Sequence, residues 1–190
     1  MRRIYIMVAC AMTAYFTMTT LVLPESYQNM HTSIPEPRID VALSHSTVTL
    51  GQSFEISTVS YNDGDDADLQ LVSVAFPQSK DLDGIKIISY DFLQSPHLIE
   101  IGKEIGSQYA GGAKTVKSQY PSIEAYSRPS KKGDTFTMTI QVTPKEIGTF
   151  HIYTKSVAMP HTSEFAHFPS HGIIDHQGEF VQQHTVEVIP

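Results

Sequence analysis

Cysteine is nearly absent from this chain: among 190 residues there is one, Cys10, and it lies inside an apolar N-terminal run. The remainder therefore has neither a disulfide nor a thiol nucleophile, and a hydrophobic core must supply the stability that exported domains often draw from cross-links. Asparagine occurs only at Asn29 and Asn62, and neither opens an Asn-x-Ser/Thr acceptor, so N-linked glycan is not expected. Positive charge is scarce. Lys and Arg total 13 against 20 Asp and Glu, a formal charge of −7, which argues against nucleic acid as a partner. Gly-x-Ser-x-Gly, a phosphate-cradling glycine loop and His-Glu-x-x-His are all missing, so no motif supports catalysis and a non-enzyme is expected.

Met1-Arg2-Arg3 precedes an uncharged, mostly apolar run from Ile4 to Leu23 that stops at Pro24. Residues 1–23 read as a signal peptide or an N-terminal transmembrane anchor; Leu21-Val22-Leu23, where small residues would mark cleavage, favours the anchor. Too few apolar residues precede Cys10 for a lipoprotein box. Either reading leaves the two arginines inside and sends the rest to the cell surface or beyond it, with the membrane contacted through this segment. Residues 24–37 carry Pro24, Pro35 and Pro37 and no periodicity, as a linker does.

Residues 38–190 form the folded unit, and their pattern is all β. Asp40 to Leu43 with Thr47 to Leu50 reads as a broken first strand, followed by Phe54 to Tyr61, where a change of apolar parity between Ile56 and Val59 predicts a bulge. Asn62-Asp63-Gly64-Asp65-Asp66-Ala67 is a turn that a hairpin would explain. Leu69 to Phe76 and Ile85 to Tyr90 follow. Phe136, Met138, Ile140 and Val142 alternate onto one face. Phe150 to Tyr153 and Gln182 to Ile189 complete about seven strands, the count of an immunoglobulin-like antiparallel β-sandwich. Between Asp91 and Arg128 the pattern weakens into an insertion with short strands near Ile99-Glu100-Ile101 and Thr115-Val116-Lys117.

Two blocks resemble known proteins. Leu50-Gly51-Gln52-Ser53-Phe54-Glu55-Ile56 with Tyr61-Asn62-Asp63-Gly64-Asp65, and Asp134 to Lys155 in the form Gly-Asp-x-x-Thr-x-x-Ile-x-Val-Thr-Pro-x-x-x-Gly-Thr-Phe, resemble the opening and closing strands of CARDB-like adhesion domains. Asp175-His176-Gln177-Gly178-Glu179-Phe180-Val181 is similar to endings of exported archaeal immunoglobulin-like proteins. The resemblance implies a surface module for adhesion, envelope assembly or protein contact, without catalysis and with protein partners in the envelope. Gly148-Thr149-Phe150-His151-Ile152-Tyr153-Thr154 also looks like the copper-ligand strand of the exported subunit of copper membrane monooxygenases. Tyr153 stands where that strand has its second histidine.

Six of nine histidines follow residue 150. His161, His167, His171 and His176 share one loop, 159–177, and imidazole is a preferred donor for copper or zinc, so these four are the candidate metal ligands. A solvated polar loop explains them more simply. Pro169 between His167 and His171 excludes a helical clip. His151 is expected to point outward and His184 inward, to a hydrogen-bonded place at the rim of the core. Asp63, Asp65, Asp66 and Asp68 crowd one turn as calcium ligands would, but the spacing is not that of an EF-hand. Tyr109, Tyr120 and Tyr126 either form a binding surface or cover an edge of the sandwich.

Overall fold

The computed structural model describes residues 2–22, 34–105, 116–160 and 166–190. Among the described residues one α-helix, α1 (Arg2–Thr17), runs into a π turn at Met18–Val22. Thr13 and Thr17 donate to the carbonyls of Ala9 and Thr13, so hydroxyls in an apolar helix satisfy themselves against its own backbone. Arg3–Leu21 is long and apolar enough to cross a membrane.

Everything else is strand and loop: β1 (Pro37–Leu43), β2 (Thr47–Thr49), β3 (Phe54–Asn62), β4 (Leu69–Ala75), β5 (Ile85–Tyr90), β6 (His97–Ile99), β7 (Glu104–Ile105), β8 (Val116–Lys117), β9 (Ser122–Tyr126), β10 (Thr135–Val142), β11 (Gly148–Met159), β12 (Ile173–Ile174) and β13 (Phe180–Ile189). One sheet has the order β1-β3-β10-β5 and the other β12-β13-β11-β4-β9-β6, with β2 joined in parallel to β13. Removing β2, β6, β9 and β12 leaves four strands facing three, the constant-type immunoglobulin-like arrangement. The expected broken first strand is real, and its break has a cause. β1 pairs with β3 in one sheet, and the chain then crosses so that β2 joins the other.

The inner faces meet on Phe54, Ile56, Val72, Val74, Ile123, Phe136, Met138, Ile140, Ile152, Val186 and Val188, all fully buried. Phe136 stacks on Phe92 with ring centres 5.7 Å apart, and the Arg128 guanidinium lies 5.0 Å from the Phe136 ring centre. Phe54 meets Phe150 edge to face.

Three expectations are corrected here. β3 carries no bulge: its register with β1 and β10 is continuous, and Phe54, Ile56, Thr58, Ser60 and Asn62 all point inward while Val59 is outside. The parity change came from polar residues entering the core. They are satisfied there, for Gln70 Nε2 donates to Ser60 Oγ and to the Tyr61 carbonyl at 2.8 Å and lies 2.9 Å from Ser156 Oγ. Second, Asn62 to Ala67 does not close a hairpin, because β3 and β4 belong to different sheets. The turn instead grips the incoming chain: Asp65 Oδ2 accepts from Ile34 N, Asn62 Oδ1 accepts from Glu36 N, and a Cβ on Gly64 would collide with the Ile34–Glu36 backbone. Third, the insertion holds a strand that the pattern hid. β9 lies inside the second sheet between β4 and β6, with Ile123 and Ala125 in the core.

Candidate functional site: a closed charge cluster

Lys155 on β11 pairs with Ser73 on β4, Ser73 with Glu124 on β9, and Glu124 with His97 on β6, so one rung of the second sheet carries all four. Their sequence neighbours Val72, Val74, Ile123 and Ala125 are core, which turns the four to the outer face. Outer faces are normally wet, yet Glu124 is 3% exposed and Lys155 8%. The cover is the second half of the histidine loop, together with Tyr120.

That cover is a short hairpin. Ile173 and Ile174 of β12 pair with Val181 and Phe180, and the turn between them is Asp175-His176-Gln177-Gly178, with Gly178 in the left-handed region at φ 80°. Asp175 Oδ1 accepts from the backbone N–H groups of Gln177 at 2.7 Å and Glu179 at 3.1 Å. Its Oδ2 lies 3.5 Å from Lys155 Nζ, and Glu179 pairs with the same ammonium. Tyr120 packs edge-on against the His176 ring with centres 4.7 Å apart and against Tyr153 at 5.9 Å. Tyr126 donates to Glu124 Oε2 at 3.3 Å and packs on His97. The space left among Glu124, Lys155, Asp175, Tyr120 and Tyr153 is about 20 Å³, enough for one water and for no substrate.

Charge in this cluster does not balance, since three carboxylates face one lysine. Burial pushes the Glu124 carboxyl up to about 7, against the opposing pull of Lys155 and His97 and with a further push from Glu179. Burial also raises the Tyr120 and Tyr126 hydroxyls above their ordinary value. Glu124 therefore binds its proton more tightly in the folded chain than in the unfolded one, and its contribution to stability falls as pH rises from about 4.5 to about 7. Glutamine mimics the protonated acid. Urea titrations should show Glu124→Gln gaining on wild type by up to about 3 kcal/mol between pH 5 and pH 8; a pH-independent difference would refute the assignment. His184, whose pKa burial lowers, works in the opposite direction and cancels in this comparison.

The candidate metal ligands His167, His171 and His176 occupy different surroundings. His161 lies outside the described residues. His167 exchanges backbone hydrogen bonds with Ala158, His171 is exposed, and His176 is held beneath Tyr120 with both ring nitrogens buried. Among the described residues, no three His, Cys, Asp or Glu side chains are grouped so as to hold a metal ion. In the aspartate turn, Asp63 faces Arg38 at 3.7 Å and Asp65 serves Ile34. His184 sits half-buried at the core rim, 3.2 Å from Thr154 Oγ1, while His151 points outward to Gln183, both as expected. Tyr109 lies outside the described residues; Tyr120 and Tyr126 cover the second sheet. Sequence reasoning missed Glu124 and Lys155. The only available signal was parity: each alternates with small or apolar residues that face the core.

A wider groove of about 340 Å³ opens at the end of the sandwich over Ile85, Val142 and Phe150, rimmed by the exposed ion pairs Lys80–Glu146 and Lys145–Asp83.

The sequence matches no family model and no curated protein. Among solved structures, the chain is similar to a CARDB domain from Pyrococcus furiosus. The solution structure of that domain has a TM-score of 0.41 and 10% identity, over 83% of this chain and 97% of that one. Its crystal structure in complex with di-metal ions has a TM-score of 0.39 and 11% identity, over 82% and 89%. AvmM, which catalyses macrocyclization in alchivemycin A biosynthesis, has a TM-score of 0.43 and 12% identity, over 81% and 89%. Likeness at this level says nothing of function.

Proposed function

We propose that this chain is a non-catalytic β-sandwich module held at the outer face of a membrane, where it contacts protein partners. The observation that carries the reading is the apolar helix Arg3–Leu21, none of whose surface is buried against the rest of the chain. An apolar helical surface of this length suits lipid. The positive Arg2-Arg3 start keeps that end inside and the sandwich outside. In the charge cluster the groups contact one another and leave room for a single water, as in a structural cluster.

Expression of the full chain with a C-terminal epitope tests the anchor. It should stay in the membrane pellet after alkaline carbonate extraction and be digested by protease added to intact cells, whereas a variant without residues 2–22 should be soluble. Recovery of the full chain in the carbonate supernatant, or protection from external protease, would overturn the proposal.

A further inference from the structure

One side of the sandwich is open, and we infer that a second copy of this chain covers it: two sandwiches meet side to side, Tyr90 and Leu98 of each closing the core of the other.

The edges of the two sheets come together at two sides. One is closed by the chain itself: β1 leads into β2, which crosses to β13, and Gln182 Nε2 donates to the Ile39 carbonyl at 3.3 Å. The inner-face residue of that side, Ile39, is buried. The other side lies between β5 and β6, which end their sheets among the described residues. Tyr90 stands directly opposite the buried Met138, and Leu98 opposite the buried Ile123, so both occupy inner-face positions. Yet Tyr90 is 45% exposed and Leu98 57%. Phe92, on the crossing between the two strands, reaches inward to stack on Phe136, while Leu93 beside it is 65% exposed. Side chains placed as core but left in water form an apolar patch of the kind that marks an interaction surface.

The edge itself opposes an added peptide strand. Ile88 has no opposite number in β10, because the register shifts there: Ile87 faces Ile140 and Ser89 faces Thr139. Lys86 stands on the same strand. A bulge and a lysine are devices by which edge strands refuse a further strand, so the cover is made by side chains. Charge selects its source. The chain carries −7, and two copies repel over most of their surface. Around the open side the charges cancel, Lys86 and Arg128 against Asp91 and Glu100, and Asp91 faces Arg128 at 3.6 Å. A strongly basic or acidic partner gains nothing there. A second copy brings the same neutral, apolar side, and a two-fold axis closes the contact at a dimer. Two sandwiches can meet this way whether or not α1 lies in lipid, so oligomeric state and membrane fractionation are decided separately.

Light scattering on the full chain in mild detergent decides, with Cys10→Ser throughout so that no disulfide contributes. This parent chain should be a dimer at tens of micromolar. Leu93→Asp and Leu98→Asp each place a charge in the contact and should raise the dissociation constant about thirtyfold or more, as loss of an interface hot spot does, while circular dichroism stays that of a folded β protein. Ile147→Asp, at a comparably exposed position on the end of the sandwich, should leave the dimer intact. A monomeric parent chain would overturn the proposal and leave the open side to a different protein. A dimer unchanged by both Leu93→Asp and Leu98→Asp would overturn it too, by placing the contact on α1 or another face.

Discussion

Replacing Lys155 by methionine is expected to cost about 3–5 kcal/mol, because it removes the one lysine from a buried group of three carboxylates. The penalty has two sources. Asp175 and Glu179 lose the ammonium that both contact, and Glu124 loses its nearest positive neighbour besides His97. The damage should be local before it is global. The 173–181 hairpin is attached through Asp175, so hydrogen exchange at the Gln177 and Glu179 amides should rise in Lys155→Met well beyond what global unfolding accounts for. Unchanged protection at those two amides, with an unchanged denaturation midpoint, would mean that the cluster contributes nothing to closure.

Phe136→Ala should be comparably severe, about 3–5 kcal/mol, by a different route. The ring is fully buried between the Phe92 ring and the Arg128 guanidinium, and neither neighbour can collapse into the gap without leaving its own place. Phe92 belongs to the crossing from β5 to β6, so the loss reaches the insertion as well as the sheet. Equilibrium urea unfolding with an unchanged slope is the measurement; a loss under about 1 kcal/mol would show that the site repacks.

Phe136 also shows where the sequence was informative. β10 alternates without interruption between core and solvent, and period-2 alternation survives into structure when every inward residue is apolar. β3 obeys the same geometry but fills its inner end with Thr58, Ser60 and Asn62, so its pattern imitates a bulge. Nothing local reveals that Gln70, from another sheet, will supply the hydrogen bonds that make those residues tolerable. β9 was hidden for a related reason. Both of its faces are covered, one by the core and one by the loop hairpin, so Glu124 carries no sign in the sequence of being indoors. The loop stands out in composition through its histidines. The residues that the fold brings together are Asp175 and Glu179 with Lys155, and that meeting depends on a long-range register no spacing rule encodes.

The parallel seam between β2 and β13 has a mechanical consequence. Thr47 to Thr49 run beside Glu187 to Ile189 in the same direction, closed at its ends by Glu187 N donating to the Ser46 carbonyl and Leu50 N donating to the Ile189 carbonyl. A pull applied on the Pro37 side of the chain and on Ile189 draws these two strands past each other lengthwise. Their hydrogen bonds then share the load and must rupture together, whereas a pull across the strands would break them one at a time. The sandwich thus meets tension along its chain as a shear joint.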